Sequence, residues 1–158
     1  AKGPVMHPFV PGVRNAVRAV IIKADQVLLL KKQYGEEVRY ALPGGGQDVG
    51  ETLEGALQRE CREEIGTEVT IEGLAHVAEF FKAKDSEPPT FRHLVEFLFV
   101  CSVPTHYRPA NGMRPDKHQI DVVWASLEQL NRIASFPKNL NLPLIVTNAQ
   151  VYRGLLNR

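Results

Sequence analysis

The stretch Gly44–Val69, GGGQDVGETLEGALQRECREEIGTEV, constrains this chain more than any other. Three consecutive glycines mark a turn, and Thr52 to Ile65 then reads as a helix that Gly66 stops. Leu53, Leu57, Cys61 and Ile65 form a stripe on that helix, with Ala56 beside it, so one side packs on a core. Residues three and four apart share a helix face, which brings Glu60, Glu63 and Glu64 together on another side. Like charges at i and i+4 destabilise a helix by roughly 0.2–0.5 kcal/mol per pair. Arg59, four residues before Glu63, offsets part of that repulsion, and a divalent cation would offset more. Grouped carboxylate oxygens suit Mg²⁺ or Mn²⁺. The competing reading is a solvated Glu/Arg face, the usual meaning of such a run.

Charge is unevenly divided along the chain. The 158 residues carry 19 Lys+Arg and 18 Asp+Glu, a formal balance of +1. The Gly44–Val69 stretch holds seven of the acids and two of the arginines, which leaves 17 Lys+Arg against 11 Asp+Glu elsewhere. One acidic patch on a basic background suits an anionic ligand that carries a divalent cation. A composition of 44% hydrophobic and 23% charged residues excludes the fibrous and disordered classes. No apolar run nears the ~18 residues of a membrane span, and Ala1 to Pro11 does not read as a secretory signal. Cys61 and Cys101, with no C-x-x-C spacing, read as buried, reduced thiols of a cytoplasmic protein.

Residues 1–12 read as an N-terminal extension and 13–158 as one domain. Strands are expected over Val13–Ile22 and Val27–Leu30, with a hairpin turn at Ala24-Asp25. Val69–Phe81 reads as one or two strands broken near Gly73. In Phe91–Val103, Phe91, His93, Val95, Phe97, Phe99 and Cys101 alternate onto one face while Leu94, Leu98 and Val100 face the other, so burial on both sides is expected. Ile120–Ala125 is a further strand. Ser126-Leu127-Glu128-Gln129 has capping-box spacing and predicts a short helix to about Ala134. A third helix is predicted from Pro143, with Ile145, Ala149, Tyr152 and Leu156 on one face. Strands and helices without regular βαβ repetition indicate an α/β fold, a mixed sheet between helices. Pro104–His118 is a long loop of the kind that is functional or floppy.

The glycines do not form G-x-x-x-x-G-K-[ST], because Gln47 and Asp48 follow Gly46, and G-x-G-x-x-G fails at Val49. The wider spacing is more telling. Gly45, five residues, Glu51, seven residues, then Arg59-Glu60-Cys61-Arg62-Glu63-Glu64-Ile65-Gly66 fills all seven fixed positions of one pattern. At ordinary residue frequencies a chance match at a given start is on the order of 10⁻⁸ or below. The pattern resembles the Nudix box of the MutT-like hydrolases, G-x5-E-x7-R-E-U-x-E-E-x-G-U, where U is bulky and aliphatic. Cys61 and Thr67 depart at the two U positions. Tyr40-Ala41-Leu42-Pro43-Gly44-Gly45 also looks like the family's strand into the glycine loop, and Asp121 to Leu130 like its late strand, tryptophan and short helix. The likeness covers about Arg14 to Leu156.

This resemblance implies a Nudix-type α/β/α sandwich and Mg²⁺- or Mn²⁺-dependent hydrolysis of a pyrophosphate linkage in a nucleoside diphosphate derivative, by water attack on phosphorus. It implies Glu60, Glu63, Glu64 and the Gly45 carbonyl as metal ligands, with Glu60, Glu64 and Arg59 catalytic. Glu51 would support them from the helix entrance, and Arg59 would orient the neighbouring acids. Asp48, Glu54 and Glu68 would be surface. The general base would be a box glutamate or a late-loop group such as Asp116, His118 or Asp121; where relatives carry a glutamate before the tryptophan, this chain has His118 and Gln119.

Substrate identity lies outside the box. Arg14, Arg18, Arg39, Arg92 and Arg114 are candidate phosphate or ribose contacts, Arg39, Arg92 and Arg114 foremost. Phe80, Phe81 and Tyr107 are candidates to stack a base. The expected partner is a small nucleotide-type molecule; membrane is excluded, nucleic acid disfavoured for want of a concentrated Lys/Arg tract, and a homodimer is open. The alternative to an enzyme is a non-catalytic nucleotide-binding or regulatory module. Such modules often lose a box glutamate, and none is lost here.

Overall fold

A computed structural model describes residues 8–136 and 150–156. β1 (Phe9–Lys23) begins ahead of the expected domain start at residue 13. Ala24 and Asp25 both take positive φ, 52° and 62°, as in the mirror-image turn whose twist matches its flanking strands. The chain returns as β2 (Gln26–Tyr34), paired antiparallel through Ile22↔Val27 and Lys23↔Gln26.

Those are the two register pairs between β1 and β2. Beyond them β1 takes β4 (Gly44–Gly46) on one side and β6 (Thr90–Ser102) on the other. β2 takes β3 (Glu37–Ala41) and β7 (Gln119–Ser126). The two halves of the sheet therefore diverge from the hairpin. β5 (Thr70–Lys84) adds to β6, and β8 (Ser135–Phe136) and β9 (Tyr152–Leu155) close the order β8-β3-β2-β1-β6-β5-β9. Parallel pairs (β1–β6, β3–β8, β5–β9) and antiparallel pairs coexist, so the sheet is mixed, as expected.

The helix α1 (Leu53–Ile65) starts where Thr52 accepts a hydrogen bond from the Gly55 N–H at 2.9 Å, and ends at Gly66 in the left-handed region. Its apolar stripe (Ala56, Leu57, Cys61, Ile65) packs on Val17, Ala19, Ile21, Leu28, Leu30, Phe99 and Cys101. On the opposite face Val20, Leu29, Leu42 and Leu98 meet Leu130, with Leu127 and Ile133 around them. The sheet is thus covered on both sides, and β6 is buried on both at Leu94, Leu98, Phe99 and Cys101, while Val100, expected inside, is exposed near the strand's end. Among the described residues no helix is long and apolar enough to cross a membrane.

Three expectations are corrected. β5 runs unbroken through Gly73, absorbing the irregularity as register shifts at Ile71/Gly73 and Leu74/His76. The helix predicted from Ser126 is one 3₁₀ turn, Leu127–Gln129. The chain is tied down at both ends, by Leu127 N–H to Asp25 O at 3.0 Å and by Tyr40 N–H to Ala134 O at 2.9 Å, which leaves no room for a longer helix. The third helix fails over Tyr152–Leu155, which is β9 on the open edge of β5, in register Val77↔Tyr152 and Glu79↔Leu155. An unfilled row of backbone donors and acceptors outweighed the 3.6-residue spacing. Pro143, Ile145 and Ala149 lie outside the described residues.

Cys61 and Cys101 are buried free thiols. Burial raises both, Cys101 to about 12, and only the thiolate attacks electrophiles. An aromatic disulfide reagent at pH 8 should therefore find neither thiol in the native protein within minutes, and both after guanidinium unfolding. Rapid native-state reaction would contradict this burial. Thr52→Ala should cost about 1 kcal/mol in denaturant unfolding through the lost cap.

Candidate active site

β4 is wedged between β1 and α1, and its glycines are required by both neighbours. It pairs with β1 through Ala16↔Gly46, Val17↔Gly45 and Arg18↔Gly44. A Cβ on Gly44 would overlap the Val17 carbonyl, and one on Gly45 the Glu60 carboxylate. With no side chains between them, α1 sets its carboxylates directly against the β4 backbone. Glu64 Oε1 accepts the Gly44 N–H at 2.8 Å.

Arg59 gathers the acids at the helix entrance. Its Nε and one terminal nitrogen donate to the two Glu51 carboxylate oxygens at 2.7 and 3.0 Å, and that nitrogen also donates to Gly46 O at 3.0 Å. The other terminal nitrogen lies 3.3 Å from Glu60 and 3.5 Å from Glu63. A forked, two-toothed contact of this kind fixes the orientation of both partners. Glu51 also accepts the Asp48 N–H at 3.0 Å, and the Arg59 bond followed by this one lowers its pKa to about 2.

Glu64 is 2% exposed. Burial pushes its pKa up and Glu60 adds to the rise, against the Gly44 hydrogen bond and Arg18. Glu60 is raised as well, again by burial first, with Arg59 opposing. Two adjoining carboxylates that resist ionisation, Glu64 buried and Glu60 partly so, beside a backbone that approaches them bare, are a donor set that a hard divalent cation satisfies. Among the described residues no three His, Cys, Asp or Glu side chains already surround one point. Glu60 turns toward Arg59, and Glu64 toward Gly44. Glu63 belongs to the Arg59 cluster.

The 104–118 loop closes the other end of α1. Orphan carbonyls at a helix C-terminus need donors, and the loop supplies them. Tyr107 Oη donates to Ile65 O at 2.7 Å, Gly112 N–H to Glu64 O at 3.0 Å, and Arg114 N–H to Glu63 O at 2.9 Å. Gln119 Nε2 adds a bond to Glu64 O at 2.8 Å while its Oε1 accepts the Asp116 N–H at 2.8 Å. A Cβ on Gly112 would overlap the Glu63 carbonyl. Tyr107 is thus taken up by the helix end.

Of the late-loop groups, Asp116 is bound by the buried Lys32 at 2.6 Å and is electrostatically felt by both Glu60 and Glu64. Lys32 and the Lys117 N–H hold Asp116 below its ordinary range against the effect of burial. Asp121 accepts its own neighbour's N–H, that of Val122, at 2.8 Å. The His118 ring lies against Tyr34, centroids 4.2 Å apart.

The candidate arginines are dispersed. Arg39 binds Glu37 at 3.0 Å and lies over Tyr34. Arg92 donates to Pro11 O at 3.0 Å, and Arg114 is exposed. Arg14 packs beside Gly46. Arg18 is joined to Glu96 at 3.2 Å and donates to Leu42 O and Gly44 O at 3.3 and 3.0 Å. Phe80 is in the core and Phe81 meets Phe9 and His93 edge-on. The Arg18–Glu96 and Lys32–Asp116 pairs and the bonds of Gln119 were missed in the sequence. One signal was present: Glu96 is a lone carboxylate on the Leu94–Leu98 face of an otherwise apolar strand.

Comparison with known proteins gives the family and the fold. The NUDIX domain profile matches residues 12–143. An ADP-ribose pyrophosphatase of Methanocaldococcus jannaschii is 32% identical over 99 residues, 62% of this chain and 53% of that protein. The chain thus spans about half the length of this curated relative. A MutT NUDIX hydrolase from Burkholderia pseudomallei superposes with a TM-score of 0.63 at 23% identity, over 85% of this chain and 99% of the other. An ADP-ribose pyrophosphatase from Streptococcus suis gives 0.59 at 20%, over 90% and 97%. These two likenesses concern the fold. The chain belongs to the NUDIX family.

Two measurements probe this arrangement. Glu51 has a folded pKa below its unfolded one, so its contribution is present above about pH 4.5 and lost as pH falls toward about 2. Glu51→Gln should therefore lower the urea midpoint at pH 6 and match wild type near pH 2; a gap independent of pH would contradict the Arg59 bond. Gly112→Ala should destabilise by about 1–3 kcal/mol, because the loop must leave the helix end.

Proposed function

We propose that the protein hydrolyses the pyrophosphate linkage of a nucleoside diphosphate derivative with Mg²⁺ or Mn²⁺, and that ADP-ribose is the first substrate to test. One observation carries this reading: all four box glutamates and Arg59 are retained and gathered on α1 and its entrance, against a strand that has no side chains at the point of contact. The name of the Methanocaldococcus relative supports the choice of ADP-ribose.

Glu60, Glu64 and the Gly45 carbonyl would hold the cation, with Glu63 adding a further contact. The cation, when bound, supplies polarisation of the phosphoryl oxygens and acidifies the attacking water. Arg59 keeps Glu60 and Glu63 from repelling each other and fixes their carboxylates. Glu51 fixes Arg59. Gly44 N–H orients Glu64, leaving the second Glu64 oxygen for the cation or for the proton of the attacking water. A box glutamate is the proposed base, since Asp121 is turned to its own strand and His118 to Tyr34. Asp116, held ionised by Lys32, is the late-loop acid nearest in effect to the box.

The test is incubation of purified protein with Mg²⁺ and ADP-ribose, dinucleoside polyphosphates, NADH, sugar nucleotides, and normal and oxidised nucleoside triphosphates, with products resolved by chromatography. ADP-ribose should give AMP and ribose 5-phosphate, and EDTA should abolish turnover. Glu64→Gln and Glu60→Gln should each lower kcat by about 10²-fold or more. Full activity in both variants would overturn the site. Nucleotide binding without any cleavage would favour a binding module instead.

A further inference from the structure

Among the described residues β4 has one strand partner, β1, so its other edge needs partners of a different kind. Backbone groups of alternate residues in a strand point to the same edge. The Pro43 carbonyl and the Gln47 N–H turn to β1, where Ala19 N–H and Asn15 O meet them at 2.9 and 3.0 Å. The groups of Gly44 and Gly46 therefore face away from β1, and side chains satisfy them. Gly44 N–H donates to Glu64 at 2.8 Å, Gly44 O accepts from Arg18 at 3.0 Å, and Gly46 O accepts from Arg59 at 3.0 Å. Two arginines thus grip the carbonyls on either side of Gly45. Arg59 belongs to the box, whereas Arg18 comes from β1.

Arg18 is held as firmly as it holds. Its Nη1 spans Leu42 O and Gly44 O at 3.3 and 3.0 Å, while Nε and Nη2 donate to one Glu96 oxygen at 3.4 and 3.2 Å. No nitrogen of the guanidinium lacks a protein partner, so the phosphate or ribose contact considered for Arg18 gives way to an internal one. Glu96 is 4% exposed and lies across β1 on β6, opposite Ala16. With Pro43 O taken by Ala19, three consecutive carbonyls ahead of Gly45 are fixed from β1. This matters because Gly44, at φ 143°, has no side chain to restrain it. What keeps its peptide groups in place must come from elsewhere in the chain.

We propose that Arg18 is a positioning residue for the metal centre: anchored by Glu96, it locks Gly44, and through Gly44 it holds Glu64 and the Gly45 carbonyl in a fixed relation before the cation arrives. The inference rests on the box being the metal site. Arg59 sets the entrance of α1 and the Gly46 end of β4; Arg18 sets the Gly44 end. A planar fork suits this task, because it spans a carboxylate and two carbonyls in one rigid group. Neither arginine has to touch the substrate. Groups that orient a ligand rather than coordinate the ion commonly govern affinity by about 10–100-fold.

The test reads binding of Mn²⁺ alone, followed by the paramagnetic resonance of the free ion, and needs no substrate. The double variant Arg18→Met/Glu96→Met removes both charges of the pair and leaves neither buried alone; it should bind Mn²⁺ about tenfold or more weakly than wild type. Arg18→Lys keeps the charge beside Glu96 but not the fork, and should also bind weakly. Both variants should retain a cooperative melting transition in EDTA. With a cleaved substrate at fixed Mn²⁺, kcat should fall with KM changed little, whereas a substrate contact would show in KM. The inference is overturned if either variant binds Mn²⁺ as wild type does, if affinity falls only together with the melting transition, or if the loss lies in KM. Wild type that binds no Mn²⁺ would overturn it along with the metal site itself. Mn²⁺ binding that depends on Arg18 in a protein that cleaves nothing would sink the proposed hydrolysis and leave this assignment standing.

Discussion

Everything at the site follows from one steric fact: a helix bearing one buried and one partly buried glutamate lies against a strand with no side chains. Glu64 reaches the Gly44 N–H, and Glu60 occupies the volume a Gly45 side chain would need. The rest of the chain holds that contact in place. Strand β1 braces β4 from behind, the apolar stripe of α1 anchors the helix to the sheet, and Thr52 and Gly66 define where the helix begins and ends. Two carboxylates desolvated side by side are unfavourable in isolation. Arg59 and Arg18 compensate in part by holding opposite charge close to them.

The electrostatics of the site set desolvated acids against a few fixed cations. Burial raises Glu64 and Glu60, and Arg18 and Arg59 oppose that rise. Arg18 is itself paired with Glu96, and Lys32 with Asp116, so the cations nearest the acids are held in place by carboxylates of their own. This is the local form of the charge division already visible in the composition.

The box was legible in the sequence because its constraint is local. Helix spacing, cap residues and glycines all act within Gly44 to Gly66, and the structure has α1, its caps and its buried stripe where the sequence puts them. The hairpin at Ala24-Asp25 and both faces of β6 were readable for the same reason. What could not be read depends on partners distant in the chain. Arg18 reads as one more candidate phosphate or ribose contact until Glu96, 78 residues away, is placed beside it. The long loop looked functional or floppy because two of its donors, at Gly112 and Arg114, are backbone N–H groups, which sequence does not distinguish; with the Tyr107 hydroxyl they satisfy the last carbonyls of α1. Tyr152 carried a helical spacing, but an open edge on β5 claimed it as a strand.

The divergence of β1 and β2 has a further consequence. The two halves of the sheet are joined at that hairpin by two residue pairs, and α1 bridges them: its apolar stripe packs on Val17, Ala19 and Ile21 of β1 and on Leu28 and Leu30 of β2. Gln119 of β7, which pairs with β2, also holds the Glu64 carbonyl. The helix that carries the acids is therefore also the clamp between the halves, so any change in how they meet is felt at the box itself.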